Sequence, residues 1–211
     1  MPRVLSVNDV AGFRDRVCEE ATRLFASKGT EGVTMRDLAS ALGVSAMTPY
    51  RYFRDKDDIL AAVRARAFDR FAEALEKAYS RPGTTIERTC AARDAYVRFA
   101  LEEPATYQLM FDLSQPTAAE YPDLARAGMR ARATMTRHVR DLIAEGILEG
   151  DPELIGRVIW AALHGAVTLH LAGNLSPQFE TSAQYGIDNI VAAATQALGD
   201  GFRARTGTRR G

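Results

Sequence analysis

Residues 34–56, TMRDLASALGVSAMTPYRYFRDK, constrain the fold more than any other stretch. A short segment with apolar positions Leu38, Ala41 and Leu42 stops at Gly43, and a second begins behind Ser45. That leaves room for only a tight turn between two helices, which is helix-turn-helix spacing. Thr34 is placed to cap the first helix, with Asp37 reaching back from the third helical position as a short capping box. Gly43 suits the left-handed residue that ends a helix, Val44 plugs the corner, and Ser45 caps the second helix.

The second helix is expected over residues 46–53. Its first turn carries Ala46, Met47 and Thr48, small or flexible side chains that permit close approach to base edges and thymine methyls in a major groove. Tyr50, Arg51 and Tyr52 follow at the reach of phosphates, while Phe53 is expected to turn into the core. Lys56 opens the next helix, where free backbone N–H groups and the helix dipole favour an anion. Pro49 is expected to be tolerated, because a proline early in a helix loses an N–H that has no intrahelical partner.

The run Thr34, Leu38, Ala39, Gly43, Val44, Ser45, Tyr50, Tyr52, Phe53 and Lys56, continued by Ile59 and Leu60, resembles the tetracycline-repressor (TetR) family of bacterial transcriptional regulators. Pro49 departs from the bulky apolar residue usual there. The resemblance implies an all-α chain with an N-terminal three-helix helix-turn-helix domain and a C-terminal helical domain for effector binding and dimerisation. The expected boundaries are 1–55, 56–199 and a disordered basic tail at 200–211. The candidate DNA-binding residues are Thr34, Ser45, Ala46, Met47, Thr48, Tyr50, Arg51, Tyr52 and Lys56.

Net charge does not contradict this, although 27 Lys and Arg balance 27 Asp and Glu. Residues 45–56 hold Arg51, Arg54 and Lys56 against Asp55 alone, and a local patch is what a sequence-reading module needs. Cys18 and Cys90 lie far apart with no leader segment, which points to a reducing cytoplasm and to buried thiols rather than a disulfide framework. The longest apolar stretch, residues 158–171, is interrupted by His164, Gly165, Thr168 and His170 and reads as a buried helix, not a membrane span.

Along the chain, Arg3 lies in a short N-terminal arm. Phe13, Val17, Ala21, Leu24 and Phe25 spell an amphipathic helix over residues 10–27, with Arg14, Arg16 and Arg23 as solvated surface. A connecting helix spans 56–80 and restarts over 86–101 behind Thr84, Thr85 and Glu87. A short helix at 104–113 follows, of a kind that commonly lies beside the ligand cavity in TetR-like proteins. Further helices are expected over 123–145 and 152–171, then a last one opened by Ser176 and Pro177 and carrying Phe179, Ala183, Ile187, Ile190, Val191 and Leu198. Trp160, His164 and Gly165 resemble a C-terminal domain type named for those three residues.

Wide apolar arcs and small residues on the last two helices predict a two-fold homodimer through Ala162, Ala166, Ile187, Ile190, Val191 and Ala194. The middle helices are expected to enclose an effector pocket walled by Tyr96, Phe99, Tyr107, Met110, Phe111, Met129 and Trp160, with His164 orienting the ligand. The implied partners are a palindromic operator in double-stranded DNA and a small-molecule effector; no metal or other cofactor is expected. The rival readings are an all-helical enzyme using His138, His164 or His170, and a protein-binding module. No Ser–His–Asp order, Gly-rich phosphate loop or Cys-x-x-Cys supports catalysis, and His164 and His170 are too far apart for a helical metal pair.

Overall fold

The computed structural model describes residues 7–111, 118–175 and 186–204. They form α1 (Val7–Lys28), α2 (Met35–Ala41), α3 (Lys56–Tyr79), α4 (Thr85–Glu102), α5 (Pro104–Phe111), α6 (Pro122–Ala144), α7 (Pro152–Leu171) and α8 (Ile187–Gly201). Two short 3₁₀ turns, Pro49–Arg51 and Ala118–Glu120, complete the order. The chain divides into two compact units, one of Met1–Arg70 with Ala105–Met129 and the other of Phe71–Pro104 with Arg130–Gly211. This partition differs from a boundary at residue 55, because α3 and α6 each contribute residues to both units and α5 packs in the first.

The first unit is organised by the stripe that α1 presents every third or fourth residue. Val17, Ala21, Leu24 and Phe25 meet Val33, Leu38 and Phe53, together with Ile59, Leu60 and Val63 of α3 and Leu109 of α5. α2 is only seven residues long and depends on its ends. Asp37 N–H donates to Thr34 Oγ1 at 3.2 Å and Thr34 N–H donates to Asp37 Oδ2 at 2.9 Å, so the capping box forms as expected. The hydroxyl and the backbone N–H of Thr34 both donate to the Asp37 carboxylate and hold its pKa below the usual range.

At the other end of α2, Gly43 adopts φ +66, Gly43 N–H reaches Ser40 O and Val44 N–H reaches Ala39 O at 3.0 Å. This is a Schellman stop, and it satisfies carbonyls that the helix would otherwise leave open. Val44 packs onto the first unit's core.

In the second unit, Thr84 and Glu87 build the same capping box at the start of α4. Phe71 of α3 meets Tyr96 and Phe99 of α4 edge-on, with ring centroids 5.1 and 5.3 Å apart. Val139 and Leu142 of α6 pack with Leu148 and Ile155, flanked by Ile159 and Phe202. Gly156 lets α7 come close to α6, since a Cβ there would lie 3.1 Å from the Met135 carbonyl oxygen.

Two expectations change here. Residues 200–204 are ordered structure: α8 continues to Gly201, and Leu148 and Arg203 form an antiparallel bridge beside which Glu149 N–H donates to Phe202 O at 2.9 Å. Phe202 supplies the reason, because its ring packs on the Val139 and Leu142 cluster. α7 is also not a fully buried helix. It buries Ile155, Leu163, Ala166 and Val167 but leaves Leu154 and Leu169 55% and 48% exposed. By length and composition alone it could cross a membrane, yet it carries Glu153 and Arg157 and packs on α4 and α8. Arg3, Ser176, Pro177, Phe179, Ala183 and residues 205–211 lie outside the described residues.

Candidate nucleic-acid interface and ligand cavity

The stretch expected as a second helix over residues 46–53 is not an α-helix. Ser45, the intended cap, would take its first i→i+4 bond from residue 49, and proline has no N–H to give. The chain closes instead mainly with three-residue bonds, Thr48 N–H to Ser45 O at 2.9 Å, Arg51 N–H to Thr48 O at 3.1 Å and Tyr52 N–H to Pro49 O at 3.0 Å, with a single four-residue bond from Phe53 N–H to Pro49 O at 3.0 Å. Pro49 is thus a break in α-helical geometry, and a turn followed by one 3₁₀ turn takes the helix's place.

The side chains are nevertheless sorted as a presented surface. Pro49 and Phe53 are buried, which fastens the turn to the unit's core. Met47 is 69% exposed and Tyr50 48%, and Ser45, Ala46 and Arg51 are placed at the surface beside them. Ser45 and Thr48 share a hydroxyl–hydroxyl bond of 2.8 Å, so each retains hydrogen-bonding capacity for an outside group. Arg36 on α2, absent from the expected set, is exposed as well.

Three expected contact residues are committed within the protein. Thr34 uses its hydroxyl in the α2 cap. Tyr52 is half-buried, with its ring 4.4 Å from that of Phe13, and its carbonyl accepts from Arg14 Nη1. Lys56 Nζ donates to Thr30 O at 3.0 Å and stands 3.9 Å from Glu31. The α3 N-terminus is no open anion site either, because Asp58 N–H donates to Asp55 Oδ1 at 2.8 Å and Arg54 N–H to Asp58 Oδ2 at 3.0 Å. Acids in the first turn have already taken the place that a phosphate would want.

Arg14, expected as plain surface, lies over the Phe53 ring at 4.1 Å and holds the Tyr52 carbonyl, clamping the end of the presented turn to α1. It stands one residue past Phe13 on the edge of the apolar stripe, a position the periodicity shows but whose partner it does not.

In the second unit a cavity of about 660 Å³ opens among α3, α4, α6, α7 and α8, within the roughly 300–1,000 Å³ usual for small-molecule sites. Tyr96 of the expected wall lines it, beside Leu75, Met135, Leu142 and Leu163. The rest of that wall is distributed otherwise. Phe99 is buried against Phe71, and Tyr107, Met110 and Phe111 belong to the first unit, where Tyr107 and Phe111 meet edge-on at 5.0 Å. Met129 is 63% exposed. Trp160 and His164 are half-buried neighbours on α7, with ring centroids 6.2 Å apart.

The polar groups facing the cavity include Thr89, Arg93, His138 and Thr195, and not His164. His138 is 6% exposed, and burial pushes its pKa down from 6.5, so the ring is neutral near pH 7. The signal is present in the sequence: His138 lies three residues after Met135 and four before Leu142, on the apolar face of α6. Cys90 also borders the cavity, while Cys18 is buried and desolvation raises its thiol pKa.

Of the expected dimer residues, Ala166, Ile187 and Val191 are buried within the subunit. Ala162, Ile190 and Ala194 are half-buried. The exposed apolar edge of α7 runs instead through Leu154, Ala161 and Leu169, with Val158 and Gly165 half-buried between them. Which residues of α7 stay outward follows from which side of the helix receives α8.

Comparison with known proteins agrees with this geometry. Residues 17–63 match the family model described as bacterial regulatory proteins, tetR family, and residues 89–193 the model described as tetracyclin repressor-like, C-terminal domain. An HTH-type transcriptional regulator of Staphylococcus aureus (strain USA300) is 30% identical over 100 residues, 47% of this chain and 54% of the relative. The chain thus spans about half the length of the curated relatives it matches. A protein of unknown function from Rhodococcus sp. RHA1 superposes with TM-score 0.77 at 27% identity, covering 96% of this chain and 99% of that one. The TetR family transcriptional regulator PfmR from Thermus thermophilus superposes with TM-score 0.66 at 24% identity, covering 87% and 97%, a likeness of fold.

Proposed function

The chain belongs to the tetracycline-repressor (TetR) family of bacterial transcriptional regulators, a family of regulators and not of enzymes, and from that premise we propose that it is a cytoplasmic repressor of this kind. In this reading a homodimer binds a palindromic operator in double-stranded DNA and is released when a small molecule occupies the second unit's cavity. The observation that carries the DNA reading is the presented turn: Met47, Tyr50 and Arg51 project from a segment whose Pro49 and Phe53 are fixed in the core. A 3₁₀ turn brings only a few side chains to base edges. Met47 and Thr48 are assigned to bases, and Ser45, Ala46, Tyr50, Arg51 and Arg36 to close approach and phosphates.

So small a reading surface needs duplication, and two copies held about 34–36 Å apart would meet successive major grooves on one face of a palindrome. The exposed edge of α7, with Leu154, Ala161 and Leu169, supports pairing by two-fold contact there, joined by the half-buried Ala162, Ile190 and Ala194. The neighbouring Trp160, His164 and Gly165 support the finer assignment to the C-terminal type named for them. Ligand control would pass through α3 and α6, which contribute residues to both units, and linkage then requires that DNA weaken ligand binding by the same factor.

The test is a gel shift against DNA upstream of the protein's own gene. Salt-sensitive retardation on a palindrome is expected, with Tyr50→Ala or Arg51→Ala weakening binding to all sequences and Thr48→Ala altering preference at one base pair. Absence of retardation on any palindrome near that gene would refute the reading.

A further inference from the structure

The cavity of the second unit contains one polar group whose chemistry is fixed by its surroundings. His138 Nδ1 stands 3.2 Å from the backbone oxygen of Thr134, four residues earlier on α6. A carbonyl oxygen only accepts, so Nδ1 carries the hydrogen. In a neutral ring that leaves Nε2 with a lone pair and no hydrogen. Among the described residues no hydrogen-bond partner meets Nε2, although the residue is only 6% exposed and borders the cavity.

The cations nearby are already matched. Arg93 donates from Nε and Nη2 to Asp94 Oδ1 at 2.9 and 2.8 Å, and Arg203 donates from Nη2 to Asp200 Oδ1 at 2.6 Å. A ligand carboxylate entering here would meet two arginines whose charge is offset by two acids, and would lose its hydration without a free counter-charge. The remaining wall is largely aliphatic and aromatic: Leu75, Tyr96, Met135, Leu142, Ile159 and Leu163.

We propose that the effector taken by this cavity is an uncharged, mainly apolar molecule that donates one hydrogen bond, from a hydroxyl or an N–H, to Nε2 of His138. The proposal rests on the ligand-released repressor reading and specifies the chemistry of that same site. It selects alcohols and phenols over fatty or aromatic acids. It also selects them over ethers of equal size, since an ether brings a second acceptor against the imidazole lone pair.

The full-length protein is titrated calorimetrically with para-butylphenol, para-butylanisole and para-butylbenzoate. The phenol is expected to bind about tenfold tighter than the anisole, the difference one satisfied buried acceptor makes, and the benzoate weakest. His138→Phe, which keeps a ring and removes the acceptor, is expected to bind phenol and anisole alike. Should that variant fail to fold, nitrogen-detected NMR of the wild-type imidazole decides: hydrogen on Nδ1 and a phenol-induced shift at Nε2 support the proposal, and hydrogen on Nε2 overturns it. Equal binding of phenol and anisole, preference for the benzoate, or no binding by any of the three also overturns it. A gel shift on the same preparation keeps the two ideas apart. Retardation without the phenol preference sinks the cavity chemistry alone, and the phenol preference without retardation sinks the repressor reading alone.

Discussion

Lys56 gives the sharpest test of how the presented turn is held. Its ammonium donates to the Thr30 carbonyl at 3.0 Å, 26 residues away in sequence, and thereby ties the start of α3 to the loop between α1 and α2. A hydrogen bond to a charged group contributes about 1.5–3 kcal/mol when buried. The side chain here is 26% exposed, so about 1 kcal/mol is the reasonable figure. The Glu31 carboxylate, 94% exposed at 3.9 Å, adds almost nothing. Lys56→Met keeps the aliphatic stem and removes the donor. For a chain of this length the variant is expected to melt roughly 2–4 °C lower for each kcal/mol lost. Operator affinity, read by fluorescence anisotropy across a salt series, should fall by a similar factor at every salt concentration, because the turn is held less well. The slope of log affinity against log salt should not change. A phosphate contact behaves in the opposite way: its loss makes the slope shallower by about 0.9 and leaves melting untouched. That second outcome would refute the clamp.

Other substitutions test separate joints of the structure. Gly156→Ala places a methyl group 3.1 Å from the Met135 carbonyl oxygen, a backbone atom that cannot rotate away; a loss of about 1–3 kcal/mol in urea denaturation is expected, as for other overpacked sites. His138 has a folded pKa below 6.5 because burial disfavours its charged form. The unfolded chain therefore binds more protons as pH falls, and stability should be flat above about pH 6.5 and decline from there toward the folded value, a decline that His138→Phe removes in melting curves taken across that window. Leu169→Asp puts a charge on the exposed edge of α7 and should convert the proposed dimer to monomer in sedimentation at micromolar concentration, whereas Val191→Asp should unfold the subunit, since that residue is 3% exposed inside it.

Much of the scaffold is legible in the sequence because it rests on local chemistry. Thr34 with Asp37, Thr84 with Glu87, and Asp151 before Pro152 each announce a helix start through donors that need acceptors, and all three form. The stripe of Val17, Ala21, Leu24 and Phe25 reports one buried face of α1 in the same way. The cavity is less legible because apolar periodicity says that a side chain is inside without saying against what. Tyr96 and Tyr107 look alike in the sequence, yet one borders the cavity and the other packs in the first unit. A histidine in an apolar stripe, such as His138, reads equally well as plain core. Only the Thr134 carbonyl on one ring nitrogen and the cavity beside the ring distinguish the two cases.

Half of the expected dimer set is buried within the subunit for a related reason. Small and apolar residues cover most of the circumference of α7, so the pattern cannot say which arc meets α8 and which is left over. Ala166 and Val167 go inward, and Leu154 and Leu169 do not. Pro49 is the opposite case, a single residue whose effect follows directly from its chemistry. Position 49 is the first that must donate an α-helical bond behind the Ser45 cap, and proline has nothing to donate. The 3₁₀ turn that results is tighter and shorter than an α-helix, with side chains eclipsed every third residue. Met47 and Thr48 precede that turn, in the segment closed by Thr48 N–H to Ser45 O, while Tyr50 and Arg51 lie within it. Ser45 and Thr48 share a hydroxyl–hydroxyl bond of 2.8 Å, so substitutions at these two should be non-additive in operator affinity while substitutions at sites without a shared partner add.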